Sequence, residues 1–263
     1  MVYLIVLGIC FISCLVGAIC GIGGGVIIKP ALDVLGIMDV ATISFLSGCS
    51  VLAMTTYSVI RSKAGGGSRI DEHLGAPLAL GAALGGIFGK NLFQVLRTVS
   101  GDAQWVGAVQ AGCLLVVTAG TLVYTLRKER INTHRVRNAP ALLVIGLLLG
   151  ILSSFLGIGG GPINLVFLFF FCSMDTKTAA ENSLYIIWFS QIASLLYSIF
   201  TRTVPQFSPA MLCLMVLGGI LGGICGQSAN KKLDSRQVDH LFIALMVLMI
   251  GINAYNVYKF LGL

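Results

Sequence analysis

The stretch Gly21-Ile22-Gly23-Gly24-Gly25 decides how this chain folds, because the same five residues return as Gly157-Ile158-Gly159-Gly160-Gly161 in an equally apolar neighbourhood. An offset of 136 residues, from Gly21 to Gly157, superposes about eleven identical residues in about 28 positions. The further matches are Ile27 with Ile163, Leu32 with Leu168, Met38-Asp39 with Met174-Asp175, Thr42 with Thr178 and Ser47 with Ser183. An offset of 137 then aligns Leu84-Gly85-Gly86-Ile87 with Leu221-Gly222-Gly223-Ile224. This self-similarity predicts a duplicated fold.

The composition excludes a water-soluble protein. Hydrophobic residues make up 57% of the 263 residues and charged residues only 10%, and the mean hydropathy is +0.95. Such a chain is expected to lie in a lipid bilayer. The net charge of +7 does not predict a nucleic-acid partner, because most Lys and Arg residues lie in short loops between apolar segments, as cytoplasmic loops do.

Ten apolar segments predict an all-α polytopic membrane protein. They are Val2 to Cys20, Val26 to Ile37, Ala41 to Ile60, Leu74 to Val95, Gln104 to Leu126, Pro140 to Leu156, Pro162 to Met174, Ala179 to Phe200, Pro209 to Gln227 and His240 to Tyr258. A helix needs about 20 residues to cross the hydrocarbon, so the second and seventh segments are too short for ordinary spans. Each of these two directly follows a glycine cluster. The first segment lacks a basic flank, and we expect it to be retained rather than cleaved.

Loop charges predict that the two halves are inverted. The linker 127–139 is the most basic segment and is placed in the cytoplasm, between a first repeat at 1–126 and a second repeat at 140–263. The cations Lys231, Lys232 and Arg236 also lie inside only if Pro140 to Met174 crosses the membrane an even number of times. That stretch is then a hairpin, either fully spanning or re-entrant. Each repeat therefore contains a Gly-broken hairpin and three transmembrane helices, with both termini outside.

The glycine clusters are candidate binding sites. Unwound backbone at membrane depth is tolerated only where it is buried in protein or lines a cavity, and glycine lets bare backbone approach a ligand. The short arms that begin at Val26 and Pro162 present helix N-termini, which bind anions. The candidate residues are Gly23, Gly24, Gly25, Gly159, Gly160 and Gly161. The alternative, that glycine serves close helix packing, is favoured instead for Gly81/Gly85/Gly89 and Gly218/Gly222/Gly226.

Polar residues near the breaks complete the candidate site. Ser47 and Ser183 occupy equivalent repeat positions, and Asn182 stands beside the second. Hydroxyl and amide groups can bond an oxyanion without adding a fixed charge, so the ion can still leave; they can equally bond neighbouring helices. Lys29 could draw in an anion, but it could also pair with Asp33 four residues later or extend toward the membrane surface.

No metal, cofactor or catalytic group is predicted. The eight cysteines lie in apolar segments without a C-x-x-C pair, so neither a zinc site nor a disulfide framework is supported. The three histidines fall in or beside loops. An intramembrane enzyme would need a nucleophile with a base, or a ligand cluster at depth, and the chain is not predicted to be an enzyme. Glu181 near a helix start could serve proton coupling, although a structural role at that helix end is the simpler interpretation.

The paired motifs resemble the signature of the sulfite exporter TauE/SafE family. They are Gly21-Ile-Gly-Gly-Gly-Val-Ile-Ile-Lys-Pro30 in the first half and Gly157-Ile-Gly-Gly-Gly-Pro-Ile163 in the second, with Glu181-Asn182-Ser183 after the second hairpin. The second hairpin has Val166 where the first has Pro30. The resemblance covers nearly the whole chain and implies transport of sulfite, sulfonates or sulfoacetate across the bacterial plasma membrane.

The leading hypothesis is thus a secondary transporter of a small sulfur-containing or organic anion. Its site would lie where the glycine breaks meet, and alternating access would come from rocking of the repeats or gating by the hairpins. The expected partners are the anionic substrate, the lipid bilayer and a proton or sodium coupling ion; the oligomeric state is not predicted. The alternatives are a passive anion channel, an intramembrane enzyme and a structural scaffold.

Overall fold

The computed structural model describes residues 2–64, 69–158 and 160–262, and within these ranges it contains ten α-helices and no strand. The helices are α1 (Val2–Cys20), α2 (Gly25–Leu35), α3 (Val40–Ala64), α4 (Glu72–Ser100), α5 (Ala103–Arg127), α6 (Ala139–Phe155), α7 (Pro162–Cys172), α8 (Thr176–Phe200), α9 (Pro209–Lys232) and α10 (Ser235–Leu261). A short 3₁₀ turn, Lys128–Arg130, follows α5. The predicted all-helical fold is confirmed.

The helices are of the kind that cross membranes. In the described ranges, seven of them (α1, α3, α4, α5, α8, α9 and α10) are long and apolar enough to span a bilayer. Large apolar side chains point outward, among them Val99 and Phe200, each 81% exposed. Exposure of that kind is favourable only in lipid. The short arms α2 and α7 have 11 residues each and cannot span as single helices.

Polar caps move several helix ends beyond the apolar segments. Helix α4 begins at Glu72 rather than Leu74, because the Asp71 carboxylate accepts the backbone N–H groups of residues 73 and 74. Helix α10 begins at Ser235 rather than His240, because Asp234 and Gln237 form a capping box. Hydropathy marks the part of a helix that lies in hydrocarbon, whereas capping groups decide where the helix itself begins.

The duplication is visible in the packing. Each helix of the first half has a counterpart five helices later in the second half. A contact between two helices recurs between their two counterparts. Helix α1 packs on α9 as α6 packs on α4, and α3 packs on α9 as α8 packs on α4. The pairs α3 with α8 and α5 with α10 join the halves directly. This exchange is what a two-fold relation between the repeats produces, and their inversion across the membrane stays a prediction.

Glycine rows allow the closest helix contacts, as the sequence predicts. On α4, a Cβ added at Gly81 or Gly85 would lie 2.1 Å from a carbonyl oxygen of α6, and one at Gly89 would lie 2.3 Å from another. On α9, a Cβ at Gly222 or Gly226 would lie 2.4 or 2.3 Å from carbonyl oxygens of α1. Backbones at such distances exclude any side chain. These two contacts flank the central helices α3 and α8.

Candidate functional site

The two glycine breaks lie against each other in the interior. A Cβ added at Gly25, the first residue of α2, would lie 1.9 Å from the carbonyl oxygen of Ile158 in the second break. The side chain of Ile187 on α8 lies beside both breaks, because added Cβ atoms at Gly23 and Gly160 would lie 3.5 and 2.3 Å from it. Side chains other than hydrogen cannot occupy Gly25, so the two arms α2 and α7 begin side by side.

Positive φ angles make glycine necessary at the turns. Gly21 and Gly157 have φ of 76° and 67°, and Gly23 and Gly160 have φ of 74° and 145°. Residues with a Cβ rarely adopt these conformations. Gly159, which the sequence also proposes for the site, lies outside the described residues. The breaks thus depend on glycine both for their turns and for their mutual contact.

Both arms begin without a side-chain cap. Gly24 precedes α2 and Gly161 precedes α7, and neither can supply a capping oxygen. The first N–H groups of a helix have no intrahelical acceptor, and they carry the positive end of the helix dipole. Pro162 at the start of α7 removes one of these donors but leaves the others. Two helix N-termini with uncapped donors therefore adjoin one region of the protein interior.

Ser47 and Ser183 face this region with hydroxyl groups that have no partner among the described residues. Both side chains are fully buried, and neither Oγ atom forms a hydrogen bond there. Ser183 lies on the α8 face between Ala180, which touches Gly21, and Ile187, which touches both breaks. Leaving a buried hydroxyl unsatisfied costs about 1–3 kcal/mol. A bound ion or water would remove that cost.

Asn182 is fully engaged by the protein. Its Oδ1 accepts the backbone N–H of Asp71 at 3.1 Å, and its Nδ2 donates to the carbonyl oxygens of Arg69 and Thr178 at 2.9 and 2.8 Å. The amide thereby ties α8 to the segment that precedes α4. Contact between Asn182 and an anion stays a prediction, and it would require these bonds to open.

Lys29 is buried in an ion pair. Its side chain is 1% exposed, and its Nζ lies 2.9 Å from Asp33 Oδ2. The pairing with Asp33, one of the roles that the sequence left open, is therefore present. Because the carboxylate already neutralises the ammonium group, direct binding of an anion by Lys29 stays a prediction that requires the pair to separate.

Lys90 is a buried cation that the sequence reasoning missed. It lies in α4, is 6% exposed, and among the described residues its ammonium group forms no ion pair or hydrogen bond; it lies 5.6 Å from the centre of the Phe93 ring. The signal was available, because Lys90 is a lone cation inside the apolar segment Leu74 to Val95. Ionisable residues at membrane depth are rare and mark functional paths.

A charged pocket adjoins the first break. It is lined by Ala18, Arg61, Ser62, Ala180, Glu181, Leu184, Gln227, Asn230 and Lys231. Ala180 in this wall packs directly on Gly21. The Glu181 carboxylate accepts hydrogen bonds from Ser62 Oγ at 2.6 Å and from the backbone N–H of Arg69 at 3.1 Å. Arg61 and Lys231 place positive charge at the pocket mouth, at the ends of α3 and α9.

Comparison with known proteins also finds membrane proteins. The family model described as sulfite exporter TauE/SafE matches residues 5–253. The chain is also similar to the "Probable membrane transporter protein MamO" of Magnetospirillum gryphiswaldense, at 24% identity over 183 residues. That alignment covers 67% of this chain but only 29% of the relative, so the chain spans a small part of that protein's length. No solved structure matches. Because the family model covers nearly the whole chain, the chain belongs to the sulfite exporter TauE/SafE family, and the seven long apolar helices of its described part are those of a multi-pass membrane protein.

Proposed function

We propose that this protein is a secondary transporter that carries a small sulfur-containing or organic anion across the bacterial plasma membrane. Sulfite, sulfonates and sulfoacetate are the proposed substrate class. One observation carries the proposal: the uncapped N-termini of α2 and α7 lie side by side. On the helix faces beside them lie the hydroxyls of Ser47 and Ser183, which have no partner among the residues that the structure describes.

The chemistry of this region suits an oxyanion that must be released again. Each helix N-terminus acts as about half a positive charge, worth about 0.3–1 kcal/mol when exposed and up to about 2 kcal/mol when partly buried. Backbone N–H and serine O–H groups donate to oxyanion oxygens without a fixed counter-charge. Such a site favours an anion over a neutral molecule while keeping the affinity modest, as turnover in a transporter demands.

Access to the site is proposed to alternate between the two sides of the membrane. The positive charges of Arg61 and Lys231 at the pocket mouth would attract an anion from the cytoplasmic side. The contact between Gly25 and Ile158 would act as the joint about which the repeats rock or the arms move. Glu181, hydrogen-bonded at the same pocket, is the proposed carboxylate for coupling to a proton or sodium gradient.

Flux measurements in liposomes test this proposal. Purified protein should move labelled sulfite or sulfoacetate in a saturable manner that responds to a proton or sodium gradient. The double variant Ser47→Ala/Ser183→Ala should lower uptake at subsaturating substrate by about tenfold, since two hydrogen bonds of about 0.5–1.5 kcal/mol each are lost. Ser50→Ala is the matched control, because Ser50 Oγ already donates to the carbonyl oxygen of Leu46, and it should leave flux unchanged.

Two outcomes would contradict the proposal. Flux that rises linearly with concentration and ignores both gradients would identify a passive anion channel instead. If no anion of this class is transported and none raises the melting temperature, the protein is not a transporter of such anions. Unchanged flux in the double serine variant would remove these hydroxyls from the site but leave the transport of anions in place.

A further inference from the structure

Lys90 differs from the other cation buried in the described part of the chain. Lys29 has Asp33 as its counter-ion at 2.9 Å, whereas Lys90 is 6% exposed and pairs with no carboxylate there. Removing a charge from water without a partner costs several kcal/mol even after relaxation of the protein. The ring of Phe93, at 5.6 Å, offsets about 0.5–2 kcal/mol of that cost. A negative charge that arrives during transport would offset the remainder.

Two hydroxyls without a partner among the described residues lie beside Gly86, which is one helical turn before Lys90. Gly86 shares its face of α4, because residues four apart on a helix lie one above the other. A Cβ added at Gly86 would lie 3.2 Å from Ser190 Oγ and 3.5 Å from Ser154 Oγ. Both hydroxyls are buried and have no hydrogen-bond partner within the described residues. The ammonium group of Lys90 itself lies beside the ring of Phe93, toward the next turn of α4, and the long side chain must change rotamer to bring it to this pair.

The second glycine break begins at the same place. The carbonyl oxygen of Ser154 accepts the backbone N–H of Gly157, the first residue of the break, at 3.2 Å. The hydroxyl pair of Ser154 and Ser190 is therefore adjacent to the proposed binding region.

The other half of the molecule lacks this polar group of residues. At the repeat offsets, Lys90 corresponds to Gln227, Ser190 to Met54 and Ser154 to Ala18. The packing agrees, because Cβ atoms added at Gly223 and Gly226 would lie 2.9 Å from Met54 and from Ala18. The shared backbone thus does not require a cation or hydroxyls here. The three polar residues occur only beside the second break.

We propose that Lys90, Ser154 and Ser190 form an anion subsite beside the second glycine break, where the ammonium group takes the full negative charge of the transported sulfite or sulfonate. This inference rests on the proposed function, because it assigns a second contact to the same substrate. It specifies a monoanion-binding group with a fixed charge on one side only. Neutral sulfur compounds of the same shape, such as dimethyl sulfone, are then excluded as substrates.

Anion-dependent thermal stability in detergent tests the subsite. Methanesulfonate and sulfite are titrated against wild type, Lys90→Gln, Lys90→Arg and Lys232→Gln, with dimethyl sulfone as the neutral probe. Lys90→Gln should raise the half-saturating anion concentration about tenfold or more, which corresponds to about 1.4 kcal/mol. Lys90→Arg should remain within about threefold of wild type, since it keeps the charge. Lys232 is exposed at the end of α9, so its substitution removes the same charge and should change nothing.

Further variants separate an anion contact from a structural role. Phe93→Leu removes the ring beside Lys90 and should alter the melting temperature without anion while leaving the titration midpoint in place. If Lys90→Gln is not recovered as a folded protein, Ser154→Ala/Ser190→Ala serves instead and should raise the midpoint about threefold to tenfold, as expected for lost hydrogen bonds. An unchanged midpoint in the folded Lys90→Gln protein, or in the double serine variant used in its place, overturns the inference.

The same measurements distinguish failure of this inference from failure of the proposed function. If wild-type protein transports an anion and the midpoint is unchanged in Lys90→Gln, the subsite is refuted and the proposed function stands. If wild-type protein neither transports any anion nor is stabilised by one, both the subsite and the proposed function are refuted. A midpoint that rises in Lys90→Gln while Ser47→Ala/Ser183→Ala transports normally supports the subsite and removes the hydroxyls of Ser47 and Ser183 from the proposed site.

Discussion

The two short arms α2 and α7 share a backbone design but are held in opposite ways. Each has 11 residues and starts at a glycine break. Helix α2 carries the buried Lys29–Asp33 pair, and α10 holds its end, since Lys259 Nζ donates to the carbonyl oxygens of Asp33 and Val34 at 3.0 and 2.9 Å. The corresponding positions of α7 are Leu165 and Phe169. Charge anchors the first arm.

The second arm is held by aromatic packing and by the linker. The carbonyl oxygens of Phe170 and Phe171 accept backbone N–H groups of His134 and Val136 at 2.7 and 2.8 Å. The ring of Phe170 also packs edge to face on Tyr124 and His134. The comparison shows that duplication preserved the glycine turns, which the backbone geometry requires, while the anchoring of each arm diverged.

Replacing one glycine by alanine in each of the two breaks should give the largest difference in stability between the two halves. In Gly25→Ala, the new Cβ meets the Ile158 carbonyl oxygen at 1.9 Å, and backbone cannot yield as a side chain can, so we expect a loss on the order of 3 kcal/mol or more. In Gly161→Ala, the nearest atom is the flexible Ile158 Cδ1 at 3.0 Å, and a cost of about 1 kcal/mol or less is expected. Melting temperatures in detergent measure both.

The control for these variants is Gly112→Ala, because open space surrounds Gly112 on α5. Its stability should equal or exceed that of wild type, since alanine favours a helix by about 1 kcal/mol over glycine. Equal losses in Gly25→Ala and Gly161→Ala would mean that the breaks do not meet as the structure has them.

Removing one partner of the Lys29–Asp33 pair should have the next largest effect. Lys29→Leu alone leaves the Asp33 carboxylate buried without a counter-charge, at a cost of about 3–5 kcal/mol. The double variant Lys29→Leu/Asp33→Leu makes the first arm apolar like the second, and such replacements are often nearly neutral. Chemical or thermal unfolding compares the three proteins. If the double variant is as unstable as the single one, the charge pair is not what distinguishes the two arms.

The smallest effect concerns how protein stability depends on pH through Asp175, at the N-terminus of α8. Asp175 follows the second arm as Asp39 follows the first, and it caps α8 by accepting backbone N–H groups of Lys177 and Thr178. Burial raises the pKa of Asp175, but hydrogen bonds from Thr178 and Lys177 and the charge of Arg69 together hold that pKa below its ordinary value. The ionised carboxylate therefore stabilises the fold at any pH above about 3.9.

This contribution should be lost as the pH falls through the lowered native pKa, because over that range the unfolded state binds more protons than the folded state, and below it both states are protonated. Asp175→Asn should lower the melting temperature slightly at neutral pH, and its difference from wild type should vanish in strong acid. A difference that stays constant down to strong acid would show that the charge of Asp175 contributes nothing.

Sequence reasoning reached the all-helical fold and the packing glycines because both depend on local composition and spacing. Helix ends at Glu72 and Ser235 were displaced from the apolar borders because polar caps, not hydropathy, set them. The role of Asn182 could not be predicted, since its bonds to Arg69 and Asp71 join segments more than a hundred residues apart. Lys90 was predictable in part, as a lone cation in an apolar segment, but its missing partner was not.

The sequence by itself determined the membrane class, the duplication and the two glycine breaks, because hydropathy and glycine's conformational freedom act residue by residue along the chain. Only the tertiary structure decided that the breaks touch at Gly25 and Ile158, and that Lys29 is neutralised. It also decided that Lys90 has no counter-ion within the described part of the chain, one turn from the hydroxyls beside Gly86. The reason is physical. Burial, pairing and close approach are properties of helices brought together from both repeats, and the energy of a charge or hydroxyl depends on what those helices place beside it.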